Sequence, residues 1–221
     1  MVHEINNPLC VISSNAEEIK DLLDAKRLSE KEIIEIREYV DVISEAVKRI
    51  ANYVDDMLRF IGKHQQVSKE TIEINSVVKT IIGLKKMDLK RNNIKVATKL
   101  TGARLLIKGV KHQIEQVFLN LINNAEYAMR KHMGKGTLTI ITKKEGNWGI
   151  VEINDTGPGI PEDILQSIFD SFFTTKPPGE GTGLGLAIVK NIVKEHNGTV
   201  EVRNRKEGGA VFIITFPVTE K

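Results

Sequence analysis

The run Thr174-Thr175-Lys176-Pro177-Pro178-Gly179-Glu180-Gly181-Thr182-Gly183-Leu184-Gly185-Leu186 leads from a Gly/Pro loop straight into residues of helical period. Such a loop brings backbone N–H groups to the positive end of a helix dipole, where polyphosphate is readily held, and Lys176 would supply charge to its terminal group. Gly-x-Gly-x-Gly alone is a weak signal. It is not a Walker loop, because Gly-Lys-Ser/Thr does not occur in it, and it does not follow the first strand of a βαβ unit as a dinucleotide fingerprint should.

Three other runs carry chemistry. In Asn154-Asp155-Thr156-Gly157-Pro158-Gly159-Ile160, a carboxylate at a strand end stands beside glycines that admit a flat ring. A carboxylate accepts from an exocyclic amino group and cannot accept from a keto oxygen, so Asp155 would favour adenine over guanine; the plainer reading is turn chemistry. In Asn120-Leu121-Ile122-Asn123-Asn124-Ala125, Asn120 and Asn124 lie one helical turn apart. Their amide oxygens suit Mg²⁺, a hard cation, although helix asparagines usually face water. In His3-Glu4-Ile5-Asn6-Asn7-Pro8-Leu9, an imidazole stands beside a carboxylate that can hold one ring nitrogen and make the other more nucleophilic. The plainer reading there is Asn7 as N-cap and Pro8 as first helical residue, with His3 in a tail before the helix.

Positioning these groups falls to two kinds of element. Apolar residues recur as Ile5, Leu9, Ile12, Ala16, Ile19, Leu23 and again as Ile36, Val40, Ile43, Val47, Ile50, Val54, Met57, Ile61, in the alternating steps of four and three of a heptad seam. Ser29 with Glu32 predicts a capping box, and Gly62 a stop, for a helix over about 30–61. Ile33, Ile34, Tyr53 and Phe60 widen the stripe, so two helices alone would leave apolar flanks wet, and a second copy completing a four-helix bundle is the simple remedy. After a polar lapse at 62–69 the pattern alternates: strands near 71–74, 94–99, 104–108, 137–143, 148–154, 199–203 and 210–216, and helices near 76–90, 111–131 and 183–196. Helices with mostly antiparallel strands predict a two-layer α/β sandwich.

Composition agrees with a folded body: 221 residues, 41% hydrophobic and 28% charged. No run approaches the roughly 18 apolar residues of a membrane span, and the first residues do not read as a signal peptide. The single cysteine, Cys10, excludes an intrachain disulfide and a multi-cysteine zinc site, and it reads as a small packing residue. Residues 1–68 hold 9 Lys and Arg against 13 Asp and Glu, and residues 69–221 hold 23 against 16, so a net charge of +3 conceals an acidic segment joined to a basic one. That split suits two different partners rather than a nucleic-acid coat, with the basic part holding polyphosphate. His64, His112, His132 and His196 read as surface residues near helix ends.

In this order and spacing the four runs resemble the sensor histidine kinases of two-component signalling, over essentially the whole chain. His3 to Leu9 is similar to the phosphoacceptor box, Asn120 to Ala125 to the N box, Asp155 to Ile160 to the first glycine box, Ile168 to Lys176 to the F box, and Gly179 to Leu186 to the second glycine box. The resemblance implies an α+β chain: a dimerising helical hairpin over 1–64, a hinge over 65–70, and a Bergerat-fold ATP-binding domain over 71–221. It implies that His3 is the phosphoacceptor, Glu4 its acid/base partner, and Asn7 the residue that orients water in phosphatase-competent members. Asn120 and Asn124 would hold Mg²⁺, and Asp155 the adenine amino group. Gly157, Gly159, Ile160, Phe169, Thr175, Lys176, Gly181, Thr182, Gly183, Leu184, Gly185 and Leu186 would line ATP under a mobile lid, with Tyr127 and Arg130 further along the N-box helix. The implied activity is ATP-dependent phosphorylation of His3, then transfer to an aspartate of a response regulator. The implied partners are a second copy and a receiver domain, with no nucleic acid and no membrane contact within these 221 residues, which are expected in the cytoplasm whether or not a longer parent chain is membrane-anchored. With only Met1 and Val2 before His3, the resemblance also implies the core of a longer chain. The alternatives are a Bergerat-fold ATPase and a phosphatase-dominant dimeric scaffold. Asn120 stands where gyrase-type ATPases carry a water-activating glutamate, and an amide is no general base.

Overall fold

The computed structural model describes residues 2–23, 28–61, 68–177 and 180–219. It divides into two compact units, Met1–Lys63 with Phe172–Leu184, and His64–Ser171 with Gly185–Lys221. Of the hinge expected over 65–70, residues 65–67 lie outside the described residues, as does His64, and Glu70 already belongs to a strand.

The first unit contains helices α1 (Val2–Leu23) and α2 (Glu30–Ile61). The capping box forms in full: Glu32 Oε2 accepts from the Ser29 N–H (2.7 Å) and hydroxyl (2.6 Å), while Ser29 Oγ accepts from the Glu32 N–H (3.3 Å). These bonds hold the Glu32 carboxyl below its ordinary pKa. Pro8 does not open α1 but lies inside it, so the reading of Asn7-Pro8 as a helix start fails. The missing N–H of Pro8 leaves the carbonyl four residues earlier without its helical partner.

The apolar seams divide where the sequence pattern ran them together. On α1, Pro8, Ile12, Asn15, Ile19 and Leu22 are buried or half-buried, whereas Leu9, Ala16 and Leu23 are exposed. On α2, Ile36, Tyr39, Ile43, Ala46 and Ile50 are covered, whereas Val40, Val47 and Val54 are exposed. The exposed members recur every seventh residue. A seam stepping by four and three contains two heptad positions, and one neighbouring helix covers only one of them. Cys10 is exposed rather than packed, and Ile33 and Ile34 are exposed as expected. The side chains of Met57, Tyr53 and Phe60, also read as bundle core, lie outside those described.

The second unit is a two-layer α/β sandwich. Strands β1 (Glu70–Glu73) and β3 (Leu106–Gly109) form a small antiparallel pair. The main sheet contains β2 (Ile94–Lys99), β4 (Gly136–Glu145), β5 (Trp148–Asn154), β6 (Thr199–Asn204) and β7 (Ala210–Pro217), in the order β2-β4-β5-β7-β6. Every pair in it is antiparallel except β2 with β4. Helices α3 (Ile74–Arg91), α4 (Lys111–Met133) and α5 (Gly185–Glu195) supply the other layer. On α4 the buried residues Ile114, Val117, Phe118, Leu121, Ile122, Ala125 and Met129 recur at helical spacing and pack over the period-two faces of β4 (Leu138, Ile140) and β5 (Val151, Ile153), while α5 packs on β7 (Phe212, Ile214, Phe216).

Three polar groups pin this layer. Glu126 of α4 is buried, with Oε2 2.8 Å from Lys85 Nζ and Oε1 accepting from Asn92 Nδ2 (2.6 Å), which ties α4 to α3. Asn75 Oδ1 accepts from the Thr142 hydroxyl (2.8 Å) and its Nδ2 donates to the Thr101 carbonyl (3.1 Å). His196 corrects the surface reading: it is buried, with Nε2 accepting from the Val110 N–H (3.1 Å) and Nδ1 2.8 Å from the Ile192 carbonyl. That pairing defines the neutral Nδ1–H tautomer, and burial pushes the imidazole pKa down. His112 and His132 are exposed as read. Asn197 (φ 55°) ends α5 in a Schellman motif, with Gly198 N–H on the Val193 carbonyl (2.9 Å) and Asn197 N–H on that of Lys194 (3.0 Å).

The basic excess also lies elsewhere than expected. Residues 79–111 hold ten Lys and Arg against one Asp, so the charge is concentrated on α3, β2 and β3, away from the glycine-rich runs in sequence.

Candidate functional site

In the second unit the residues predicted for chemistry converge at one end of the sheet. Asp155 follows the last residue of β5 directly, and its carboxylate is buried, with 4% of the residue exposed. Oδ1 accepts from the Gly157 N–H (2.8 Å) and the Ala210 N–H (3.3 Å), while the Asp155 N–H donates to the Ala210 carbonyl (3.0 Å). Burial raises the Asp155 pKa; the two backbone N–H groups and the Arg205 charge act the other way. Both of these hydrogen bonds fall on Oδ1, which leaves the lone pairs of Oδ2 to accept from a further donor.

Gly157 packs on α4 so closely that a Cβ there would stand 2.9 Å from Asp155 Oδ1 and 3.2 Å from Ala128 Cβ. This sets the first glycine loop against the helix that carries Asn120, Asn124, Tyr127 and Arg130. The Thr156 hydroxyl, which sequence reading passed over, ties the loop to β4 by accepting from the Thr137 N–H (2.9 Å). Asn120 Nδ2 donates to the Gly185 carbonyl (3.1 Å) at the first residue of α5, which leaves the amide oxygen Oδ1 as the acceptor end. Asn124, Tyr127 and Leu186 are half-buried, and the Arg130 guanidinium and Lys131 ammonium lie over the Tyr127 ring at 5.9 and 5.7 Å. Phe169 ends a short 3₁₀ turn (Ser167–Phe169), edge-on to Phe212 with centroids 6.4 Å apart and with Lys190 over its face at 5.9 Å. It anchors the F-box segment to the core.

The first unit holds the remaining predicted residues. His3, Glu4 and Asn7 lie on α1, with Asn7 exposed; the side chains of His3 and Glu4 lie outside those described. In the segment Phe172–Leu184, the Phe172 N–H donates to the Gly183 carbonyl (2.9 Å), closing the loop at its base. Gly183 (φ 66°) is left-handed, and a Cβ there would collide with the Phe172 backbone, so glycine is required. The Lys176 N–H donates to Thr174 Oγ1 (3.1 Å) and the Leu184 N–H to Thr182 Oγ1 (3.3 Å). A Cβ on Gly181 would meet Lys176 Cδ at 2.8 Å. Thr175 is exposed and Leu184 buried. Pro178 and Gly179 lie outside the described residues. The left-handed Gly183 also explains why α5 begins at Gly185 rather than at 183 as the pattern predicted.

Sequence reading missed Asn204 and Arg205 altogether. Asn204 Oδ1 accepts from the Ile160 N–H (2.8 Å) and its Nδ2 donates to the Ile160 carbonyl (2.6 Å), while Arg205 Nη1 donates to the Asp155 carbonyl (2.8 Å). Gly208 (φ 91°) and Gly209 (φ 85°) make the turn, and nothing local shows that it packs on Asp155, 50 residues before Arg205. Among the described residues no group of three or more His, Cys, Asp or Glu could hold a metal ion. No described helix is long and apolar enough to cross a membrane.

A sheet backed by helices, with a buried strand-end carboxylate, a paired-asparagine helix and a glycine-rich entry to α5, is the nucleotide-binding fold of the Bergerat class. The family described as "Histidine kinase-, DNA gyrase B-, and HSP90-like ATPase" matches residues 109–220, and that described as "His Kinase A (phospho-acceptor) domain" matches residues 1–61. The chain belongs to this ATPase family and, within it, to the sensor histidine kinases. It is 31% identical over 219 residues to the sensor histidine kinase ZraS of Salmonella typhimurium, covering 99% of this chain and 44% of that protein. It is 30% identical over 217 residues to sporulation kinase A of Bacillus subtilis, covering 98% and 33%. The chain thus spans less than half the length of these two relatives. Among solved structures, the catalytic domain of the histidine kinase ThkA superposes with a TM-score of 0.63 at 30% identity, covering 69% of this chain and 97% of that one. ThkA in complex with the response regulator protein TrrA superposes with a TM-score of 0.75 at 27% identity, covering 99% and 60%.

Proposed function

We propose that this chain binds ATP through Asp155 and the glycine-rich runs, moves its γ-phosphoryl group to an imidazole nitrogen of His3, and passes it on to an aspartate of a response regulator. The observation that carries the reading is the buried Asp155 carboxylate, fixed through Oδ1 by two backbone N–H groups, in a chain whose residues 1–61 match the phosphoacceptor family. Asp155 takes the adenine amino group. Tyr127 and Arg130 flank the nucleotide, and Gly157, Gly159 and Ile160 leave room for the ring. Thr175, Lys176, Gly181, Thr182, Gly183, Leu184, Gly185 and Leu186 supply the phosphate cradle and its lid.

Asn120 and Asn124 suit Mg²⁺, because Asn120 spends its amide donor on Gly185 and offers oxygen, the atom a hard cation takes. When bound, that ion neutralises phosphate charge during transfer. Glu4 holds and polarises His3, and Asn7, exposed one turn on, orients water for dephosphorylation of the regulator.

In this reading the hairpin spans 1–64, the hinge 65–70 and the catalytic domain 71–221, with the hinge carrying ATP to His3 and away. The stripes Leu9, Ala16, Leu23 and Val40, Val47, Val54 pair with a second copy in a four-helix bundle. The partner regulator follows by analogy with the ThkA complex. Incubation with γ-labelled ATP tests the proposal: the expected label is acid-labile, base-stable and absent from His3→Gln. Label that survives this substitution refutes the assignment of His3, and steady ATP hydrolysis with no phosphohistidine points to the ATPase alternative.

A further inference from the structure

The loop Asp155–Ile160 is held at both ends by one hairpin, the turn between β6 and β7. At the Ile160 end, Asn204 spends its whole amide on one peptide unit, accepting from the Ile160 N–H at 2.8 Å and donating to the Ile160 carbonyl at 2.6 Å. The partners fix the amide orientation, since an N–H needs the oxygen and a carbonyl needs the NH₂ group. At the Asp155 end, Arg205 Nη1 donates to the Asp155 carbonyl (2.8 Å), and the Ala210 N–H and carbonyl bond to Asp155 Oδ1 and N–H. Gly209 (φ 85°) lets the hairpin approach, because a Cβ there would collide with the Asp155 carbonyl. Between these clamps Gly159 (φ 79°) presses on Asn204, whose Oδ1 would lie 2.9 Å from a Cβ at that position.

A loop of Gly-Pro-Gly composition has little of its own to hold it. Without the clamp its backbone would sample many conformations, and engaging an exocyclic amino group through Asp155 would carry the cost of ordering it. We infer that Asn204, seconded by Arg205, is a positioning residue for adenine recognition: it preorganises the Asp155–Ile160 loop so that the Asp155 carboxylate meets the exocyclic amino group. The inference rests on the adenine role proposed for Asp155. Asn204 itself is exposed, so its two backbone bonds serve the loop rather than the core.

The test compares ATP with inosine triphosphate, which has the same phosphates and sugar but a keto oxygen in place of the amino group. Affinities are measured by calorimetry on the 221-residue chain and on Asn204→Ala and Arg205→Met. Losing two bonds to the loop, each of ordinary strength, is expected to weaken ATP about tenfold in Asn204→Ala while inosine triphosphate changes little, so the ATP preference contracts. Arg205→Met, which keeps the side-chain stem, is expected to contract the preference less. With ATP as phosphodonor, KM should rise with kcat nearly unchanged, and Asn204→Gln, which keeps both the acceptor and the donor of the amide, should restore part of the loss. Equal weakening of both nucleotides, or kcat falling together with unfolding temperature, would mean a merely structural role and overturn the inference. So would an unchanged preference in both variants. If the parent chain does not prefer ATP at all, the adenine reading of Asp155 fails, and the positioning role with it. If the parent prefers ATP and the variants keep that preference, the positioning role alone fails. Should Asn204→Ala not fold, Arg205→Met still decides.

Discussion

Replacing Val47 by Glu asks whether the exposed heptad stripe is an interface or merely a wet face. In the isolated chain Val40, Val47 and Val54 keep 47%, 51% and 42% of their surface exposed, and Leu9 and Leu23 keep comparable fractions. Full burial of such side chains stabilises by about 1.5–3 kcal/mol each, so each has roughly 1 kcal/mol left to gain. Five of them in two copies amount to about 10 kcal/mol gross, of the order needed to offset the roughly 4–15 kcal/mol that association costs. Val47→Glu removes about 1 kcal/mol per copy and adds a desolvated carboxylate costing at least about 2 kcal/mol more. The dimer therefore loses about 6 kcal/mol, which raises its Kd about ten-thousand-fold. Sedimentation equilibrium of the parent and variant at micromolar concentration reads this, with far-UV circular dichroism recording that the helices persist. An unchanged Kd in a helical variant would refute the assignment of the stripe.

Other outcomes follow from the second unit. Asp155→Asn keeps the side-chain shape but removes the charge that strengthens a hydrogen bond, so ATP affinity is expected to fall by roughly 10- to 100-fold in a fluorescent-nucleotide displacement assay; unchanged affinity would place the adenine elsewhere. His196, whose pKa burial lowers from its ordinary 6.5, binds fewer protons folded than unfolded. Its contribution to stability is thus complete above that value and is lost as pH falls from 6.5 toward the depressed folded value. Urea unfolding across that window should show a decline that His196→Gln flattens, and an equal decline in both chains would put the titration on another group. Glu126→Ala leaves Lys85 half-buried with only the more exposed Asp88 at 3.4 Å, and an unfolding free energy lower by about 3 kcal/mol is expected; a loss under about 0.5 kcal/mol would show the pair to be solvent-screened.

Much of this molecule was legible in the order of its residues, because local patterns encode local structure. Helix α2 was read at 30–61 from its heptads and capping box, and β5 was read at 148–154, as both occur. The strands of the main sheet and the glycine-rich entry to α5 fell within a few residues of their places, since period and turn chemistry are properties of short windows. Asp155, Asn120 and the glycine runs each have a plainer reading alone, and they stood out through their joint order and spacing.

What only the tertiary structure decided depends on partners distant in the chain. The two heptad positions within each seam are indistinguishable in sequence, and which of them a hairpin covers is set by how α1 and α2 pack. His196 reads as a helix-end surface residue until the fold brings the Val110 N–H, 86 positions earlier, to its ring and buries both. Asn204 and Arg205 look like ordinary polar residues before a hairpin turn. Only the pairing of β5 with β7, which lays the Ala210 end of one strand beside the Asn154 end of the other, sets that turn on the Asp155 loop. Periodicity is written locally, whereas which buried polar group meets which partner is a matter of register between strands that the chain joins only after long detours.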